Sequence, residues 1–146
     1  MSVQLTYGIN NIFVDEYNLA SFSSFEQDDE LDFTINNRLR INEKDKFVRV
    51  ETEIRITTRV SKFLVCKLVT FIDFSVENIK ELEDKNSKEI ILPPEFAFTL
   101  NSIAISTTRG ILFSYNQGTY LDKVIMPLID TSKIRLEKEV DKVSVD

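Results

Sequence analysis

Apolar and polar residues alternate with a period of two through most of the first half of the chain. From Lys46 to Val60 the run FVRVETEIRITTRV sets Val48, Val50, Thr52, Ile54, Ile56, Thr58 and Val60 on one side and Phe47, Arg49, Glu51, Glu53, Arg55, Thr57 and Arg59 on the other. That is the pattern of a long strand with one dry and one wet face. Leu31 to Ile41 alternates likewise through Leu31, Phe33, Ile35, Leu39 and Ile41, and Asn42-Glu43-Lys44-Asp45 has the composition of a hairpin turn. Lys62 to Val76 differs, because Leu64, Cys66, Leu68, Ile72 and Phe74 take one face while Phe63, Val65, Val69 and Phe71 take the other. This strand needs cover on both sides. Val3 to Leu19 is a weaker strand, apolar at Leu5, Tyr7, Ile9, Phe13 and Tyr17, with an irregularity expected at Gly8 or at Asn10-Asn11. Ser21 to Glu30, rich in Ser and acid, reads as a loop. Strands that follow one another by short turns favour an antiparallel meander.

The pattern changes at Val76. Val76 to Glu83 suits a short helix broken by Asp84-Lys85-Asn86-Ser87. Pro93-Pro94 then suit a helix start, and Pro94 to Tyr115 is expected to form one long helix, with Gly118 beyond its end. From Thr131 the chain is charge-dense, and Leu136, Val140 and Val143 fit either a marginal helix or a solvated, partly disordered tail. The expected organisation is one α+β domain over 1–130, a four-stranded antiparallel meander sheet with a long helix on one face, and a charged tail over 131–146.

Composition narrows the chemistry. In 146 residues there are no His, one Cys and three Gly, so neither a Ser-His-Asp nor a Cys-His arrangement can be assembled from this chain. Gly8, Gly110 and Gly118 cannot write a GxGxxG or Walker A loop. The net charge of −6 argues against a nucleic-acid partner, since phosphate binding rests on clustered Lys and Arg. The acidic cluster Asp28-Asp29-Glu30 lacks the spacing of a calcium loop and reads as a solvated turn. Cys66 lies on a face with Leu64 and Leu68, where a thiol behaves as a small hydrophobe, and Lys67 points the opposite way. A lone Cys fits a reducing, cytoplasmic setting. The opening Met1-Ser2-Val3-Gln4-Leu5 has no secretory pattern, and no run of about 18 apolar residues signals a membrane span. A binding protein without cofactor or metal is expected rather than an enzyme.

Two layers cover only one face of a sheet. Phe63, Val65, Val69 and Phe71 must therefore meet the helix, a second subunit or an external ligand, and large apolar patches mark interaction sites. Arg109-Gly110, late in the helix, fits close approach by the sheet or by another subunit. The small residues Ala104, Ser106 and Gly110 point the same way, to a dimer or tetramer.

Several short segments resemble the SecB family of export chaperones and the SecB-like chaperones of toxin-antitoxin systems. The rhythm Leu5-Thr6-Tyr7-Gly8-Ile9-Asn10-Asn11-Ile12-Phe13 is similar to the family's opening strand. Val65-Cys66 and Phe74-Ser75-Val76-Glu77-Asn78-Ile79 are similar to its fourth strand. Leu92-Pro93-Pro94 and Ser106-Thr107-Thr108-Arg109-Gly110 are similar to the start and end of its long helix, and Ile125-Met126-Pro127-Leu128-Ile129-Asp130 to a downstream Leu-Pro segment. The likeness runs from about Val3 to Asp130. Phe71-Ile72 stands where export SecB has a glycine pair, and the interval from Arg109-Gly110 to Pro127 is longer, which places the chain on a divergent branch.

The resemblance implies a tetramer built as a dimer of dimers that holds unfolded clients in long apolar grooves without ATP, for export or for a dedicated client such as an antitoxin. By position, Leu31, Phe33, Ile35, Phe74 and Val76 would line the groove, with Leu112 and Tyr115 at the helix end. The alternative is a non-enzymatic structural or ligand-binding module that buries the same residues permanently in an oligomer. Export SecB also contacts the motor SecA through acidic residues on the sheet's outer face. Here Lys67 stands where the family has an acid, with Asp15 or Glu16 near a second acidic position, so weak or absent SecA binding is expected.

Overall fold

The computed structural model describes residues 4–128 and 141–142. Four long strands, β1 (Tyr7–Leu19), β2 (Leu31–Asn42), β3 (Phe47–Thr58) and β4 (Leu64–Val76), precede one helix, α1 (Pro94–Tyr115). A two-residue strand β5 (Asp141–Lys142) closes the element order. The sheet order is β1-β4-β3-β2-β5, antiparallel throughout except for the parallel β2–β5 pair. The antiparallel four-stranded sheet with a long helix is thus as expected. The strict meander holds for β2, β3 and β4, whereas β1 pairs with β4 instead of β2. The reason lies in β4, which is apolar on both faces and is the most buried strand. It takes a neighbour on each edge, and the ten-odd residues after β1 are long enough to return to β2.

Turn chemistry fixes the hairpins. Asn42 Oδ1 accepts from the Asp45 amide at 2.8 Å, and Lys46 adopts φ 55°. At the next turn Thr58 Oγ1 accepts from the Phe63 amide at 2.8 Å, with Lys62 at φ 59°. Pro94 occupies the first turn of α1, where its missing N–H costs nothing. Gly118 follows the helix end at φ 79°. The helix expected over Val76–Glu83 reduces to a short 3₁₀ turn, Ile79–Leu82. Of the tail expected over 131–146, only Asp141–Lys142 fall among the described residues, and they are strand.

The dry face of β3 lies at the centre of the core: Val48, Val50, Ile54 and Ile56 are fully buried. Two apolar clusters share the space under α1. One joins Val48, Val50, Ile72, Phe74 and Val76 to Phe96, Leu100 and Ala104, and the other joins Ile54, Ile56, Cys66 and Leu68 to Ile105, Leu112, Leu121 and Met126. A polar band divides them. Asn37, Thr52 and Thr70 stand side by side across β2, β3 and β4. From the helix, Thr108 bonds Thr70 at 2.7 Å and Asn101 Oδ1 accepts from Asn37 at 2.8 Å.

The outer face corrects one expectation. Val65 and Val69 are buried, and Phe71 and Phe63 find partners within the chain. Phe71 meets Phe13 at 5.1 Å, and the Arg49 guanidinium lies over Phe13, Phe47 and Phe71 at 5.1–5.8 Å while donating to both oxygens of Asp73. Phe63 stacks on Phe25 of the β1–β2 loop at 5.8 Å. Val65 and Val69 are thus buried within the chain, and a cation and neighbouring rings cover Phe71 and Phe63. Among the described residues Gly110 likewise has nothing within 4 Å of where a Cβ would stand, so no close approach among them requires it.

Candidate functional site

A helix about 10–12 Å across spans roughly two strands spaced ~4.8 Å apart. Accordingly α1 lies across β3 and β4. On the β2 side, Tyr120, Leu121, Val124 and Met126, from the segment after α1, join the cluster that includes Leu31, Phe33 and Ile35. On the other side, the inner face of β1 stays open in its first half and is partly buried in its second.

β1 reaches that position through two irregularities. Its register against β4 slips between Ile9 and Asn11 and again between Val14 and Glu16. The first lies at the expected Asn10-Asn11 site and Gly8 is regular; the second has no counterpart in the sequence reading. Each bulge reverses which alternate residues face the helix. Tyr7, Ile9, Ile12, Val14, Tyr17 and Leu19 therefore share the inner face with β4's Val76, Phe74, Ile72, Thr70, Leu68 and Cys66, and Phe13 turns outward.

The result is an apolar trough between β1 and α1. Tyr7 meets Phe96 edge-on at 5.0 Å at one end, and Tyr17 meets Tyr115 at 5.1 Å at the other. The helix rise from Phe96 to Tyr115 is about 28 Å, which matches the length of β1 between the two tyrosines. The floor is uncovered at the Tyr7 end, where Tyr7 is 42%, Ile9 50% and Ile12 43% exposed, and partly buried from Val14 on.

The Tyr17 end is anchored by polar groups. Tyr17 Oη donates to Asn116 Oδ1 at 2.6 Å, and Tyr120 Oη donates to the Ala20 carbonyl at 2.5 Å. Burial raises the Tyr17 phenol above its ordinary range, and nearby Cys66 and Tyr120 add to the effect. Burial also pushes the Cys66 thiol up to about 11, only partly offset by its hydrogen bond with Tyr17. A protonated buried thiol is a poor nucleophile. Among the described residues no cluster of acidic or sulfur side chains is arranged to hold a metal, and no helix is long and apolar enough to cross a membrane. What the arrangement presents is exposed apolar surface at Tyr7, Ile9 and Ile12.

The sequence-predicted groove residues fall into separate places. Leu31, Phe33 and Ile35 share β2's inner face and are half-buried in the second cluster, where Leu112 is also buried. Phe74 and Val76 are fully buried in the first cluster and are closed to any outside ligand, because α1 and the 3₁₀ turn cover them. Tyr115 is 45% exposed at the end of the trough. Of the small helix residues, Ala104 is buried against the sheet, while Ser106 and Gly110 are exposed. The sequence reading missed Tyr7, Ile9 and Ile12 as a set. Their signal was an apolar rhythm in a strand with no predicted cover.

No protein-family model and no curated protein matches the chain. Among solved structures it is similar to the Mycobacterium tuberculosis Rv1957 SecB-like chaperone in complex with a ChAD peptide from the Rv1956 HigA1 antitoxin. That superposition has a TM-score of 0.58 at 12% identity and covers 85% of this chain and 90% of that one. A protein of unknown function from Streptococcus agalactiae superposes with a TM-score of 0.45 at 13% identity, covering 88% of this chain and 100% of the other. The fold of the chain is SecB-like.

Proposed function

We propose that this SecB-like chain is an ATP-independent chaperone that holds extended, non-native polypeptide in the trough between β1 and α1. The observation that carries the reading is the uncovered floor of Tyr7, Ile9 and Ile12, apolar surface left in the open along the first half of β1. A trough about 28 Å long fits some eight residues of extended chain at ~3.3 Å each, which suits a peptide better than a compact metabolite. The SecB-like chaperone of similar fold was solved with an antitoxin peptide bound, which supports a polypeptide client here too. A dedicated client such as an antitoxin, or a precursor for export, and a cytoplasmic setting belong to the same proposal, as does assembly into a dimer or tetramer through the exposed Ser106 and Gly110 side of α1.

The test is suppression of aggregation of a chemically unfolded protein without nucleotide, with light scattering to give the mass of the free chaperone. Slowed aggregation that is lost on replacing Ile9 and Ile12 supports the reading. If several unrelated clients aggregate unhindered while the chain forms a stable oligomer, the trough is a permanent subunit interface and the module is structural.

The outer face bears on SecA. Lys67 Nζ pairs with Glu16 at 3.1 Å, and Arg55–Glu53 and Arg49–Asp73 pair beside it. A face so neutralised offers little acidic potential to a basic docking partner, and weak or absent SecA binding remains part of the proposal.

A further inference from the structure

We infer that the polar band under α1 is a set of positioning residues for client binding: Asn37 with Asn101, and Thr70 with Thr108, hold the helix at the one axial setting that forms the trough. The inference rests on the chaperone reading for what the trough binds, and on the buried bonds for the rest. Along one level of the sheet, Val14, Thr70, Thr52 and Asn37 stand side by side across β1, β4, β3 and β2. That level lies between the two ring contacts that mark the ends of the trough, Tyr7 on Phe96 and Tyr17 on Tyr115. Asn37, Thr70, Asn101 and Thr108 are all buried. The two helix side chains are oriented by their own backbone. Asn101 Nδ2 donates to the Ala97 carbonyl at 2.9 Å, which leaves Oδ1 to accept from Asn37. Thr108 Oγ1 donates to the Ala104 carbonyl at 2.6 Å, so Thr70 is the donor in the bond between the two hydroxyls.

Apolar packing alone would not fix α1, because burial of apolar area is non-directional and apolar clusters flank the band on both sides. Hydrogen bonds do fix it, since they fail when donor and acceptor separate or tilt. Asn101 and Thr108 stand two turns apart, about 10 Å along the axis, one reaching β2 and the other β4. Together they set both the height and the rotation of the helix. A slip of one turn would carry Ala97 or Ile105 to Asn37 and Ala104 or Leu112 to Thr70. All four replacements are apolar, and Asn37 and Thr70 would be left buried without their helix partners. The same shift of about 5.4 Å would break both ring contacts and with them the walls of the trough. Thr52 provides the contrast. It lies in the same row at 0% exposure, and its Oγ1 has no hydrogen-bond partner among the described residues, so it does not hold the helix.

Apolar replacements of similar size in the full chain test this. Thr70→Val with Thr108→Val removes one bond and Asn37→Leu with Asn101→Leu the other, in each case with both partners, so that no helix–sheet pair is left half made. The fourfold variant should resist urea as well as wild type and yet lose the single setting of α1. In two-dimensional NMR the cross-peaks between the Tyr7 and Phe96 rings and between the Tyr17 and Tyr115 rings should weaken and split. A labelled unfolded peptide should bind about fivefold more weakly, the factor expected when roughly one molecule in five keeps the setting. Thr52→Val, and Thr108→Ser, which keeps the hydroxyl, should leave both readouts as in wild type. If the fourfold variant does not fold, Thr70→Val/Thr108→Val by itself carries the same test. Unchanged cross-peaks in a folded variant, or equal disturbance by Thr52→Val, would overturn the inference. Split cross-peaks in the variant, alongside a wild type that binds no peptide, would uphold the positioning role and refute the chaperone reading instead.

Discussion

Replacing Ile9 and Ile12 together by Thr should weaken client binding by about 30-fold and leave the protein folded. Both residues stand in β1 with roughly half their surface uncovered, 50% for Ile9 and 43% for Ile12. Exchanging a fully buried Ile for Thr loses about 2 kcal/mol of apolar transfer energy, so the uncovered half of each contributes about 1 kcal/mol only when a client covers it. Two such losses make about 2 kcal/mol, or roughly 30-fold in Kd. Thr keeps the β-branch, and with it the strand preference, so β1 should stay paired to β4. Phe74→Ala is the contrasting change: at 0% exposure it should cost about 3–5 kcal/mol of folding stability and act on binding only through the fold. The assay is fluorescence anisotropy of a labelled unfolded peptide, with urea denaturation of each variant. Unchanged affinity in a folded Ile9→Thr/Ile12→Thr variant would show that the trough is not where clients bind.

Asp29 clasps the β3–β4 turn, accepting from the Val60 amide at 3.1 Å, the Ser61 amide at 3.1 Å and the Ser61 hydroxyl at 3.2 Å. Desolvation alone would raise its pKa, but these donors together hold the carboxyl below its ordinary range. A lowered folded-state value contributes stability above the unfolded pKa of about 3.9 that is lost as pH falls through the folded one. Asp29→Asn should therefore lower the melting temperature at pH 7, with the difference from wild type shrinking below about pH 4; a difference constant from pH 7 to 2 contradicts this. Cys66, its thiol at about 11, should react with a thiol reagent at pH 8 roughly 200-fold more slowly than a free cysteine, from its thiolate fraction alone, and a rate near that of the unfolded chain would refute its burial. Arg49→Ala strips the cation from an Asp73 side chain only 7% exposed and from three rings, so urea denaturation should show a loss of about 2–3 kcal/mol, and a loss under 0.5 would mean the cluster contributes little. Calorimetry with a generic SecA should show weak or no binding, partly restored by Lys67→Glu; tight wild-type binding that Lys67→Glu leaves unchanged would place docking elsewhere.

The strands and the helix were legible because each is written locally. Alternation from Phe47 to Thr58 needs no neighbour to be read, and Pro94 at the start and Gly118 just beyond the end bracket α1. With no His and only three Gly, the sequence likewise cannot write a His-based triad or a phosphate loop. What the sequence could not assign was cover. The outer-face Phe71 looked unpartnered until Phe13, turned outward by the bulge at Asn10, and Arg49 from β3 met it. Phe74 and Leu31 carry the same kind of apolar signal, yet one is sealed under α1 and the other sits half-open near the sheet edge. That difference follows from dimensions: one helix covers about two strands. Which two depends on β1 crossing to β4, and a long-range pairing of that kind decides where apolar surface is left open.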